Sequence, residues 1–280
     1  MNASSELKIG VSLSPEKAGF GPLLYAGNLR QALVEVRKRG YTGVELSLRD
    51  PASINVSELE TLLSDNGLVV YTIATGQSYY TDGFSLYDEF AYNRNAAVDR
   101  AKGLIEIAAR FNAKMIIGGV RGRVDAEGAS FDRMLQQGHD ALWRTVEIAA
   151  KNKVHLLLEP LNRYETNVIN TLNQGLELIA QFNSPWLNLL PDTFHMNIEE
   201  PSLVDSLIKA GNQIGYIHLA DSNRRAPGWG HTDFPAVLKA LEQAGYDGPL
   251  GIEILPLPGP GRAATQAIEY LTSIYKRGIS

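Results

Sequence analysis

Eight short apolar runs recur along the chain, centred on Ile9 (LKIGVSL), Val44 (GVELSL), Tyr71 (LVVYTIAT), Ile116 (KMIIGGV), Leu157 (VHLLLEP), Leu189 (LNLLPD), Ile217 (YIHLAD) and Ile252 (LGIEILP). Continuous apolar runs bounded by polar residues or proline predict strands buried on both faces. Between the runs the apolar period changes. From Tyr92 to Phe111, residues Ala97, Val98, Ala101, Leu104, Ile105 and Ala108 fall three and four apart, which makes one face of a helix. Leu29, Leu33 and Val36 ahead of Gly40 repeat that spacing, as do Phe234, Val237, Leu238 and Leu241 ahead of Gly245. Both glycines suit a left-handed helix end.

Strands alternating with helices predict a parallel α/β sheet. No Gly-rich dinucleotide fingerprint follows the first strand, so closure into a (β/α)8 TIM barrel is expected rather than an open sheet. At 280 residues and 44% hydrophobic content, the chain suits a single barrel domain over 1–280. The C-terminal tips of the strands would then meet at one mouth, where barrels carry their active sites. Two stretches exceed what a connection needs: TGQSYYTDGFSLYDE, with Tyr79, Tyr80, Phe84 and Tyr87, and ADSNRRAPGWGHTDF, with Trp229 and His231. Both fall on the predicted mouth, and each reads equally as a lid or as a loop packed onto its scaffold.

Glu159, Asp192, His218 and Glu253 stand at the ends of the last four runs. Taken singly, each acid reads as a helix N-cap or a surface charge. Four in register are different, because three converging carboxylates repel one another unless a cation neutralises them. The chain contains no cysteine, so disulfides, thiolate metal sites and thiol nucleophiles are excluded. An oxygen-rich donor set favours one divalent ion, Mn2+ first and Mg2+ or Co2+ next, over closed structural zinc. Such a site leaves positions for a substrate with adjacent carbonyl and hydroxyl oxygens, and the polarised carbonyl would support an enediolate as the α-proton leaves. Glu159 and Glu253 flank the site as a candidate acid/base pair. A net charge of -5 argues against a nucleic-acid partner. No run reaches membrane-spanning length and the N-terminus lacks a signal pattern, so a cytoplasmic protein acting on a small molecule is expected.

At EPLNRYETNVINT, PDTFHMNIEE and IHLADSNRRAPGWGH the chain resembles the xylose-isomerase-like barrel superfamily, and within it the ketose 3-epimerase branch of tagatose and psicose 3-epimerases. The intervals 192 - 159 = 33, 218 - 192 = 26 and 253 - 218 = 35 match those between the four metal ligands of that branch. The resemblance implies that Glu159, Asp192, His218 and Glu253 hold the metal, and that Glu159 and Glu253 double as the acid/base pair. It implies that Glu165, His195 and Arg224 contact substrate oxygens around the ketone, and that the chain forms a homodimer or homotetramer. ELSLRDP, TGQSYYTDGFSL and VRGR look most like 5-keto-L-gluconate epimerases of inositol catabolism, which act on keto-sugar acids. Arginines suit a substrate carboxylate, and Arg121 and Arg123 in the predicted mouth are the expected contacts. Arg163 and Arg225, also in mouth loops, read better as solvated or loop-ordering. Arg262 in LPLPGPGR could serve a phosphate, but two prolines there remove N–H donors, so carboxylate is preferred.

Other residues carry less. His155 reads as a packed strand histidine, His139 as an exposed helix residue, and His231 as a cap or mouth residue. Glu45 reads equally as a hydrogen-bonding group inside the mouth or a loop anchor, and Trp229 and Phe194 as pocket walls or core. Competing functions are C1–C2 aldose-ketose isomerisation and inosose dehydration on the same metal site. A metal-free glycosidase would leave Asp192 and His218 idle. A repair endonuclease of the same superfamily needs more histidines than the five present. A non-catalytic sugar-binding barrel would leave the acid/base pair superfluous.

Overall fold

Among residues 7–18 and 21–277, which the computed structural model describes, eight parallel strands lie where the apolar runs predict them. They are β1 (Ile9–Ser14), β2 (Gly43–Ser47), β3 (Val69–Ala74), β4 (Lys114–Ile117), β5 (Leu156–Leu158), β6 (Leu187–Leu189), β7 (Ile217–Leu219) and β8 (Leu250–Ile252). A two-residue strand, Tyr25–Ala26, also pairs with β1. Consecutive strands from β1 to β6 are hydrogen-bonded neighbours, and β1 pairs with β8, which pairs with β7. The ring closes between β6 and β7. There the Gly215 N–H donates to Leu189 O at 2.8 Å and the His218 N–H to Pro191 O at 2.9 Å, with parallel bridges Leu189–Ile214 and Asp192–His218.

The helices are α1 (Leu29–Lys38), α2 (Val56–Asp65), α3 (Gly76–Tyr80), α4 (Ala91–Arg110), α5 (Gly128–Lys151), α6 (Leu172–Phe182), α7 (Thr193–Glu199), α8 (Leu203–Ala210), α9 (Phe234–Gln243) and α10 (Pro260–Lys276). The stripe expected from Tyr92 is α4, whose buried residues include Ala97, Val98, Ala101, Leu104, Ile105 and Ala108. Gly40 and Gly245 have φ of 94° and 78°, the left-handed turn foreseen after α1 and α9. No helix among the described residues is long and apolar enough to cross a membrane.

Strand alternation sorts the apolar side chains into two clusters. Val11, Val44, Met115, Leu156, Ile217 and Ile252 belong to the large cluster shared with the helices, while Ile116, Leu157, Leu190 and Tyr216 form a separate one with Tyr71 and Ala74. The second cluster fills the barrel. Its tyrosines fit because glycines face them. A Cβ on Gly43 would lie 2.4 Å from Tyr71 Cε2, and one on Gly251 would lie 2.7 Å from Tyr216 Cε1.

The first long loop packs onto the scaffold. Tyr87 is fully buried, the Leu86 N–H donates to Val120 O at 2.9 Å, and Tyr80, 41% exposed, is left at the mouth. His139 departs from expectation. It is half-buried, with Tyr87 and Phe182 presenting ring edges at 5.7 and 6.3 Å, because α6 packs beside its helix.

Candidate active site

The inner cluster sets the parity of the site. Two residues beyond Leu157, Leu190 and Tyr216 come Glu159, Asp192 and His218, and two beyond Gly251 comes Glu253. A strand repeats its facing every second residue, so all four continue the inward rows just above the apolar plug. One donor atom from each lies within 4.8 Å of all the others.

Asp192 divides its oxygens between two tasks. Oδ1 caps α7, accepting the Phe194 N–H at 2.7 Å and the His195 N–H at 3.3 Å. Oδ2 is buried without a hydrogen-bond partner among the described residues, 3.6 Å from His218 Nδ1. A buried carboxylate oxygen left unmatched is costly, and a cation is the partner it fits. The N-cap reading and the ligand reading are therefore both compatible with this residue.

His218 presents Nδ1 to the quartet. That nitrogen lies 3.1 Å from Glu159 Oε1 and 3.8 Å from Glu253 Oε2. On the other side of the ring, the Nε2–H donates to Glu45 Oε2 at 2.9 Å. Room for the Glu159 carboxylate comes from Gly118, where a Cβ would fall 2.2 Å from Glu159 Oε2. Two Glu, one Asp and one His make a donor set that could hold a hard divalent cation.

Charge states follow from burial and neighbours. Burial pushes the Glu253 carboxyl up to about 8, with Glu159 adding to the rise against the pull of His218 and Arg224. Burial alone would lower the His218 imidazole, but the charges of Glu45 and Glu253, with the Asp192 and Glu159 carboxylates beside Nδ1, hold it well above its ordinary value. Burial works against the Asp192 and Glu45 charges too. The histidines and Arg224 outweigh it at Asp192, and His218, Ser12 and Thr72 do so at Glu45, so both lie below the usual carboxylate range. Without a metal, the site therefore stores protons on Glu253 and His218.

Above the quartet opens a cavity of about 220 Å³, lined by Glu159 and Glu253 together with Glu165, His195, Arg224 and Tyr80. The loop after β7 delivers Arg224. Asp221 gathers that loop by accepting the N–H groups of Ser222, Gly228 and Thr232 at 2.8, 2.8 and 3.1 Å, and Arg224 takes a left-handed φ of 59°. Its guanidinium stacks on Phe194 at 4.7 Å and bridges Glu165 and Glu253, each at 3.1 Å. Phe194 is thus a platform beneath Arg224. Glu165 also accepts from the Tyr80 hydroxyl at 3.0 Å. His195 is buried; Asn162 donates to its Nδ1 through its backbone N–H at 3.2 Å, while Arg224 Nη2, also a donor, lies 3.4 Å from Nε2, and the shorter contact favours the tautomer with the ring proton on Nε2, facing the site. Burial holds this imidazole below its ordinary value.

The structure places two expected substrate contacts, Arg121 and Arg123, outside the cavity lining. Arg121 is fully buried and does not line the cavity; its guanidinium donates to the backbone carbonyls of Val168 at 3.0 Å, Ile169 and Gly118 at 3.3 Å, and Glu159. It ties the loop after β5 to the loop after β4. Arg123 reaches only toward Tyr164 O at 3.5 Å and is likewise outside the lining. Arg163 pairs at the surface with Glu199 at 2.9 Å, and exposed His231 contacts Ser222. Of the two readings open for Glu45, mouth group or loop anchor, the structure shows the first. It is buried at the centre of β2 and borders the cavity.

The family described as xylose isomerase-like TIM barrel matches residues 33–274. An L-ribulose 3-epimerase of Methylomonas sp. (strain DH-1) is 30% identical over 228 residues, 81% of this chain and 79% of its own. A 3-dehydro-D-guloside 4-epimerase of Escherichia coli (strain K12) is 27% identical over 228 residues, 79% of this chain and 85% of its own. A solved structure of an L-ribulose 3-epimerase superposes with a TM-score of 0.82 at 25% identity, covering 97% of this chain and 95% of that one. The matched segment takes in the quartet and the arginine and glutamate above it, and on that basis the chain belongs to the xylose isomerase-like TIM barrel family.

Proposed function

We propose that this chain is a divalent-metal-dependent sugar epimerase that inverts the carbon beside the ketone of a keto-sugar. The observation that carries the reading is the gathering of four donor atoms within 4.8 Å at the floor of the cavity, one of them the unmatched Asp192 oxygen. Relatives named as sugar 3- and 4-epimerases support the same reaction class. Glu159, Asp192, His218 and Glu253 would hold the ion, with Mn2+ the first choice for this donor set. Bound there, a divalent cation supplies Lewis-acid polarisation of the substrate ketone.

The remaining work falls to side chains. Glu159 and Glu253 border the cavity as a carboxylate pair, so one accepts the proton from the carbon next to the ketone and the other returns a proton to its opposite face. Arg224 and the His195 Nε2–H donate toward substrate oxygens, and Glu165, held by Arg224 and Tyr80, accepts from a hydroxyl. Arg224 holds Glu253 through its ion pair, which steadies the carboxylate between transfers. Arg121 and Arg123 lie outside the cavity lining, and Arg224, the arginine within it, is already paired with Glu165 and Glu253, which favours a neutral ketose over a keto-sugar acid.

Turnover of a panel of ketoses and keto-sugar acids with Mn2+ in deuterated water, followed by NMR, tests the reading. Inversion with deuterium entering at the inverted carbon is the expected result. Inversion with full retention of the original hydrogen would overturn it, and an aldose or an enone product would move the assignment to C1–C2 isomerisation or dehydration.

A further inference from the structure

Glu45 is the charged group of the mouth to which the proposed chemistry gives no part. It sits in β2 between Val44 and Leu46, 1% exposed, and three donors from three other strands converge on it. Ser12 of β1 donates to Oε1 and Thr72 of β3 to Oε2, both at 2.6 Å. Sheet register delivers both hydroxyls, since Ser12 and Thr72 are the direct cross-strand partners of Glu45. The third donor, the Nε2–H of His218, arrives from β7 at 2.9 Å. With a hydroxyl fixed on each oxygen, the carboxylate plane cannot turn away from the imidazole.

A neutral imidazole has two tautomers, and only the one protonated on Nε2 offers a lone pair on Nδ1. Nδ1 is the nitrogen that faces Glu159, Asp192 and Glu253 at 3.1, 3.6 and 3.8 Å. An acceptor-only group locked against Nε2 selects that tautomer, fixes the ring angle and raises the basicity of Nδ1. We propose that Glu45 is a positioning residue that orients His218 and thereby sets the affinity of the quartet for its divalent cation. The inference rests on the metal-binding reading given above. A carboxylate that merely tied β1, β2 and β3 together would change the melting temperature and leave metal affinity alone.

The test titrates metal-free wild type, Glu45→Gln and the double variant Ser12→Ala/Thr72→Ala with Mn2+, counting the free ion by electron paramagnetic resonance, with circular dichroism as the check of folding. Glu45→Gln is expected to weaken Mn2+ binding by about 10- to 100-fold, and the double variant, which only loosens the anchors, by less. Long-range proton–nitrogen spectra of the Mg2+-loaded wild type are expected to place the His218 proton on Nε2. A folded Glu45→Gln protein that binds Mn2+ within about threefold of wild type overturns the proposal, as does a His218 proton on Nδ1. Should Glu45→Gln fail to fold, the position of the His218 proton in the Mg2+-loaded wild type decides alone. Wild type that binds no Mn2+ removes the metal reading and this inference together, whereas tight wild-type binding with an unchanged variant removes this inference alone.

Discussion

Raising the pH from about 6 to about 8 is expected to tighten Mn2+ binding to the metal-free protein by roughly 50-fold through Glu253 alone. Burial, reinforced by Glu159, pushes the Glu253 carboxyl up to about 8. A proton on that carboxyl must leave before it can serve as a ligand. At pH 6 roughly one molecule in 100 has lost it, and at pH 8 roughly half have, a ratio worth about 2.3 kcal/mol of binding free energy. His218 works in the same direction. Burial alone would favour its neutral form, yet Glu45 and Glu253 hold it well above its ordinary value, and its Nδ1 proton must also go. The sign follows from proton count: the metal-free state binds more protons than the loaded state, so affinity rises with pH. Paramagnetic resonance titrations at several pH values measure the affinity. Calorimetry in two buffers of different ionisation enthalpy counts the released protons, with roughly two expected near pH 6. An affinity flat across this range, or binding without proton release, would refute the reasoning by showing both groups already poised for metal.

Glu159→Gln should retain the fold and lose roughly 10²- to 10⁴-fold in epimerisation rate, together with deuterium wash-in at the inverted carbon, both read by NMR. Arg224→Met leaves the half-buried Glu165 and Glu253 without their cation, which lowers stability by less than breaking a fully buried pair would. A lower melting temperature with a raised KM is the expected outcome, and an unchanged KM would remove Arg224 from substrate binding. Arg121→Met strips charge-assisted bonds from four backbone carbonyls, each worth about 1.5–3 kcal/mol, so the melting temperature should fall steeply. By contrast, Arg123→Ala should leave both melting temperature and KM near wild type, and a large KM increase there would restore its role as a substrate contact.

The strands were readable because burial on both faces leaves few polar residues inside them, and the quartet because each member ends such a run. Period-two facing did the rest: Glu159 follows Leu157 and His218 follows Tyr216 on the inward row. The place of Glu45 was harder to read. An acid between Val44 and Leu46 signals a buried charge, but its partners Ser12, Thr72 and His218 lie 33, 27 and 173 positions away, and only sheet register and barrel closure bring them together. Arg121 misled for a related reason. A loop arginine in an acidic chain suggests an anionic ligand, whereas its acceptors are main-chain carbonyls, one of them on Ile169 with a φ of 62°, which leave no mark in residue type. His139 shows the same limit, since the rings of Tyr87 and Phe182 reach it from separate elements.

The tyrosine stopper seated against Gly43 and Gly251 has a kinetic consequence. With the lower end of the barrel filled, the proposed ion and sugar would share one doorway, the ion the deeper of the two. On that reading, loading is expected to run in order, cation first and sugar second, and departure in reverse. A resident sugar should act as a cork, slowing the escape of the ion to a chelator in proportion to its occupancy.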